Sequence, residues 1–173
     1  MLSGSRRTRL LPSRTNNSIM SRKTAREHSF RILFSFQFKQ TSAPTLEERI
    51  GQYYADFGTE SDPVEGEAPL TLPDEKDKAF ILREVRDTRQ HVAKINKRIE
   101  AALKDWKLNR LSSTDLTILQ LAVYEMMYEP DIPVPVSVNE AIELAKKYST
   151  DQSPAFINGV LGTISRELEG ENL

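Results

Sequence analysis

Some residue types that could do chemistry are scarce in this sequence. It has no cysteine, so disulfides, thiolate catalysis and Cys-ligated metals are excluded. Its two histidines, His28 and His91, fall in different predicted helices. No GxGxxG, P-loop or HExxH pattern occurs. Glu140 and Glu143 are three residues apart, but Glu140 is placed to cap a helix and Glu143 to pair with Lys147 at i+4. An opposing acid–base partner is missing, so a catalytic carboxylate dyad is not expected, nor any enzyme activity or cofactor.

The residues that do suggest a chemistry are cations beside aromatics. Residues 1–39 carry nine basic residues against one acid, Glu27, and residues 40–77 carry ten acids against two bases. On a helix over 22–39, Ala25, Ser29, Ile32, Leu33 and Phe36 share one face. Arg22 and Arg26 fall on the edge of that face as two exposed cations one turn apart, with Lys23 beyond them. Phe30, Phe34 and Phe38 line the same flank as the bases. Cations neutralise phosphates and exposed rings stack on unpaired bases, so this pattern suits single-stranded nucleic acid. The plainer alternative is a basic tail, a solvated acidic loop and rings packed on another helix, which is preferred for Phe30. A second candidate is Phe156, two residues after Pro154. A 100° step per residue sets it beside the apolar stripe that starts at Ile157, not on it. It can serve as a stacking platform, or fold back as a staple onto the preceding helix.

These residues need helices to hold them. Residues 131–162, DIPVPVSVNEAIELAKKYSTDQSPAFINGVLG, read as a proline-stiffened lead-in, a helix, a turn and a second helix. Ser137 and Glu140 have capping-box spacing, and Val138, Ala141, Ile142 and Ala145 give one apolar face. Ser153-Pro154 has the form of an N-cap followed by proline at the first helical position. Gly159 and Gly162 leave the second helix a thin side where another backbone could approach. Upstream, Ser112 or Ser113 caps a helix over 113–128 that is apolar almost all round, the mark of a buried centre. Its first turn holds Asp115, where a carboxylate suits the dipole. Ile81, Val85, Thr88, Val92, Ile95, Ile99 and Ala102 alternate steps of four and three. Such a seam suits a dimerisation zipper or, as preferred here, helices inside one bundle with a break near Thr88. Trp106 is expected to anchor the core rather than serve as a base-stacking platform. Thr45 and Glu48 form a further capping box, and residues 58–73 are a loop with three prolines, two glycines and four acids.

VNEAIELAKKYSTDQSPAFINGVLG resembles the C-terminal signature of the NusB family of bacterial transcription antitermination factors. LSSTDLTILQLAVYEMMYEPDIP and SRKTAREHSFRILFSFQF are similar to its preceding helix and its first helix, so the resemblance runs over roughly residues 21–168. It implies an all-α fold without enzymatic activity. It also implies binding to boxA RNA in rRNA leader transcripts together with ribosomal protein NusE, in an antitermination complex with RNA polymerase. The family's arginine-rich RNA-binding run matches Arg22, Lys23, Thr24, Ala25 and Arg26, with Thr24 where many relatives keep another base. The family's His-Lys pair before its Phe is Pro154-Ala155 here, while Asp151, Phe156 and Asn158 match the motif. The implied RNA contacts are therefore Arg22, Lys23, Arg26, Phe156 and Asn158, and the implied NusE contacts are Phe34 and Asp115. Related domains are fused to RNA methyltransferases, but no second, methyl-donor domain is evident here.

The expected architecture is an all-α bundle of about seven helices in two packed subbundles, a single domain over residues 21–170, with central elements 113–128, 138–148 and 154–168. Residues 1–20 are expected to be a disordered basic extension. Their Arg- and Ser-rich, acid-poor composition suits a transit peptide, or a mis-assigned start with Met20 as initiator, which the resemblance favours. No apolar run approaches the roughly 18 residues a membrane span needs. A reducing cytoplasm suits the absence of cysteine. Two functions from different classes stand side by side: an RNA-binding antitermination factor, and a helical adaptor or dimer that binds only protein. If a homodimer hides the first helix, RNA should dissociate it.

Overall fold

The computed structural model describes residues 21–38, 45–57, 70–104 and 106–171. The expectations for residues 1–20, and for most of the 58–73 loop, lie outside that range. The helices are α1 (Arg22–Ser35), α2 (Leu46–Asp56), α3 (Glu75–Gln90), α4 (Val92–Ala102), α5 (Ser113–Tyr128), α6 (Val134–Tyr148) and α7 (Ser153–Glu171), with a 3-10 turn at Leu108–Arg110. No strand occurs among the described residues.

Local chemistry starts these helices. Ser21, Thr45, Asp74 and Ser112 each accept a hydrogen bond from a backbone N–H three residues on, at the starts of α1, α2, α3 and α5. At α2 the capping box is complete, with Glu48 returning a bond to the Thr45 N–H. The start of α6 differs from expectation. Pro133 stands at its N-cap and the helix begins at Val134, because prolines lose nothing in a first turn whose N–H groups are unpaired anyway. Ser137 therefore caps nothing; it is buried and donates to Glu125 Oε2 at 2.6 Å. Helix α7 likewise begins at Ser153 itself, so its hydroxyl is not an N-cap.

Helix α5 is the axis of the fold. It packs against α1, α3, α4, α6 and α7, while α1 also packs on α2 and α3, and α7 on α4 and α6. This gives an N-terminal and a C-terminal group of helices that share α5. Ile118, Leu119, Leu121, Ala122, Val123 and Tyr124 are all buried, as an apolar helix in the middle of a bundle must be. The seam residues Ile81, Val85, Thr88, Ile95, Ile99 and Ala102 are buried in the same cluster or beside it, so their spacing serves the bundle and not a zipper. The chain breaks at His91, three residues after Thr88.

Two expectations about packing fail. Trp106 is 57% exposed and does not anchor the core. Lys104, two positions earlier and just past the end of α4, has a left-handed φ of 55°. Among the described residues no other backbone approaches Gly159 or Gly162. A Cβ at Gly159 would meet nothing within 4 Å, and one at Gly162 only the Arg166 side chain at 3.7 Å.

Candidate nucleic-acid interface

The first turn of α1 divides its cations between two clefts. Arg22 and Lys23 are both exposed, and one residue step on a helix turns them about 100° apart. Arg22 lies over the Phe80 ring of α3, 4.0 Å from its centroid, in a cleft it shares with Lys76, Arg83, Glu129 and Asp131. Lys23 lines a cleft of about 420 Å³ with Glu27 of α1 and Glu140, Glu143, Lys146 and Lys147 of α6. Lys146 bonds Glu143 at 2.7 Å and, with help from Lys23, holds that carboxyl below the usual carboxylate range. The expected Glu143–Lys147 pair is not formed. Lys147 reaches across to Glu27 at 2.8 Å instead.

Glu27 is the joint between α1 and α6. It also accepts from the Tyr148 hydroxyl, and Arg31 Nε donates to that same hydroxyl at 3.2 Å. Burial and then the bond to Glu27 push the Tyr148 hydroxyl up to about 12, so it stays protonated and donating at any physiological pH. The Arg31–Tyr148–Glu27–Lys147 chain thus fixes the polar wall beside Lys23. Sequence reasoning missed it. Helical spacing pairs Lys147 with Glu143 on its own helix, and nothing local pairs Tyr148 with a residue 121 positions earlier.

Arg26 needs the largest correction. It was expected to be an exposed cation, but only 6% of it is exposed, and its Nε donates to Glu125 Oε1 at 2.5 Å. Glu125 also accepts from Ser137, and beside it lies Glu84, wholly buried and bonded by the Ser29 hydroxyl. Burial and then the charge of Glu125 raise the Glu84 carboxyl well above its ordinary range. The four-residue spacing from Arg22 was read as one cationic edge. The 40° by which four residues overshoot a turn carries Arg26 inward, where a buried carboxylate neutralises it.

The remaining site residues are placed as follows. Phe156 is half-buried against the core, beside buried Ile157, which is the predicted offset. Asn158 is exposed two residues further on. Phe30 is buried against Tyr148, with ring centroids 4.8 Å apart. Phe34 is half-buried, 5.9 Å from Phe30 and 5.0 Å from Phe38, which is 56% exposed. Asp115 does more than sit at a helix start. Its two oxygens accept from Ser149 at 2.6 Å and Ser153 at 3.1 Å, fastening the α6–α7 turn to the start of α5. Among the described residues no group of His, Asp and Glu could hold a metal ion, and no helix is long and apolar enough to cross a membrane.

Residues 23–166 match the NusB family. The transcription antitermination protein NusB of Clostridium novyi is 41% identical over 145 residues, which is 84% of this chain and 98% of that protein. The chain belongs to the NusB family. The solved structure of NusB from T. maritima is 31% identical, with a TM-score of 0.70 over 89% of this chain and 99% of the other. A chain from the crystal structure of antitermination factors NusB and NusE in complex with dsRNA has a TM-score of 0.67 over 84% of this chain and 96% of that one. At 19% identity that likeness is one of fold. The NusB resemblance and the all-α architecture read from the sequence are both borne out.

Proposed function

We propose that this NusB-family chain is a transcription antitermination factor that binds boxA-type single-stranded RNA of rRNA leader transcripts together with ribosomal protein NusE, within an antitermination complex with RNA polymerase. The observation that carries the reading is the start of α1, where Arg22 and Lys23 are exposed on two clefts of a fold whose close relatives are antitermination proteins. Phosphate oxygens would be met by Arg22 and Lys23. The exposed part of Phe156 offers a face on which an unpaired base can stack, and exposed Asn158 offers an amide donor and acceptor.

Arg26 supports this interface from beneath. Its salt bridge to Glu125 ties α1 to α5 one turn below Arg22. Phe34, with exposed Phe38 beside it, and the first turn of α5 around Asp115 make up the surface assigned to NusE. Most cations of the α6 cleft are matched by carboxylates, so that cleft offers few free charges to RNA on its own. A partner that adds contacts to the same RNA would supply the rest. The chain works by binding, as a non-enzymatic cytoplasmic protein.

Filter binding of a boxA oligoribonucleotide against a scrambled one, with and without NusE, tests this reading. The reading requires preference for boxA and tighter binding with NusE. Equal retention of both RNAs under both conditions would favour a helical adaptor that binds only protein.

A further inference from the structure

At the other end of α1 lies a pair of arginines, from α2 and α3, that the RNA-binding reading does not use. Phe36, the residue that ends α1, has two guanidinium groups over its ring: Arg89 of α3 at 3.7 Å from the centroid and Arg49 of α2 at 5.0 Å. Neither forms an ion pair with a carboxylate among the described residues. The neighbouring arginines of α3 differ in this respect, since Arg83 pairs with Glu129 and Arg86 with Asp87. Arg49 Nε is also shielded from water and lacks a hydrogen-bond acceptor. A buried guanidinium N–H without an acceptor is destabilising, more so because the group is charged. Two like charges against one ring add their repulsion. Burial and then the charge of Arg49 lower the Arg89 pKa from its ordinary value.

We infer that Arg49, Arg89 and Phe36 form an oxyanion site that takes a phosphate group. A phosphate neutralises two charges at once and suits the forked donors of guanidinium. The Phe36 ring holds both guanidinium groups by cation–π contact. The three residues come from α1, α2 and α3, so an occupied site ties α2 to the bundle. Helix α2 has no fully buried residue of its own and gains most from such a tie. The phosphate can be free inorganic phosphate or a phosphodiester of a bound RNA, and the chemistry of the site is the same for both.

The test uses the full chain and two variants, Arg89→Gln and Arg49→Gln. Arg89 is exposed and can be replaced without opening the core. Melting is followed in inorganic phosphate and in sodium chloride of equal ionic strength. Wild type should melt several degrees higher in phosphate than in chloride, and each variant should lose that difference. In low salt without phosphate, Arg89→Gln should melt at or above wild type, because a repulsion has been removed. Equal melting of wild type in the two salts, or a phosphate increment that survives in both variants, overturns the site. A second arm measures the salt dependence of RNA binding in phosphate-free buffer. A slope reduced by about one unit in Arg89→Gln assigns the site to an RNA phosphodiester. An unchanged slope, with the melting difference intact, assigns it to free phosphate. The melting arm needs no RNA, so it stands even if the chain binds none.

Discussion

Arg22 and Arg26 are one helical turn apart, and their surroundings give them opposite roles. Arg22 stacks on Phe80 in the open. Removing it should change stability by no more than about 1 kcal/mol and weaken RNA binding. Arg26 neutralises a buried carboxylate, so Arg26→Ala should cost roughly 3–5 kcal/mol by leaving Glu125 uncompensated. Urea melts and RNA titrations on the two single variants separate these effects. Glu84 makes a second prediction. Its folded-state pKa is raised, so its contribution to stability is full below the unfolded value near 4.5 and is lost as pH rises through the folded one. Glu84→Gln keeps an acceptor for Ser29 without the charge. It should raise the melting temperature at neutral and alkaline pH and flatten its decline there, and an unaltered pH profile would contradict this. For Phe156, half-burial predicts a stability loss in Phe156→Ala below the roughly 3–5 kcal/mol of a fully buried ring. RNA affinity should fall about ten-fold, within the 1–3 kcal/mol of one base stack. A large melting loss with intact RNA binding would remove Phe156 from the interface.

At the scale of elements, α2 is held by a titratable contact. His28 is buried, with Nε2 2.9 Å from the Thr71 carbonyl and Nδ1 2.7 Å from the Tyr53 hydroxyl. A carbonyl can only accept, so Nε2 carries the proton and Nδ1 accepts from Tyr53. Burial lowers the His28 pKa below its ordinary 6.5. Its stabilising contribution is therefore present above pH 6.5 and is lost as pH falls from there through the folded value. Melting temperature should decline over that window in wild type and decline less in His28→Gln; parallel profiles would count against the contact. The helices themselves were largely legible in the sequence, because caps and apolar periodicity are local. Ser112 and the Thr45–Glu48 box mark their starts as read. The partners of charged residues were not legible. The Arg26–Glu125 pair spans 99 positions and Tyr148–Glu27 spans 121, and helical periodicity says which way a side chain faces, not what it meets. Trp106 departs from expectation for a different reason. A large apolar residue is usually buried, but this one lies just past a left-handed break at the end of α4 and is exposed.

At the scale of the whole molecule, the fold is a bracket around α5 that brings the start of α1 and the end of α6 to one surface. That surface is nearly balanced in charge, since Lys146 and Lys147 are spoken for by Glu143 and Glu27. Specific RNA binding then requires help, and thermodynamic coupling makes that help mutual: if NusE tightens RNA binding by some factor, RNA tightens NusE binding by the same factor. The central claim is tested most directly by calorimetry of NusE binding to this chain, in the absence and presence of saturating boxA RNA. The account predicts tighter NusE binding with RNA, by the factor found when RNA is titrated with and without NusE. Equal NusE affinities under the two conditions would contradict it.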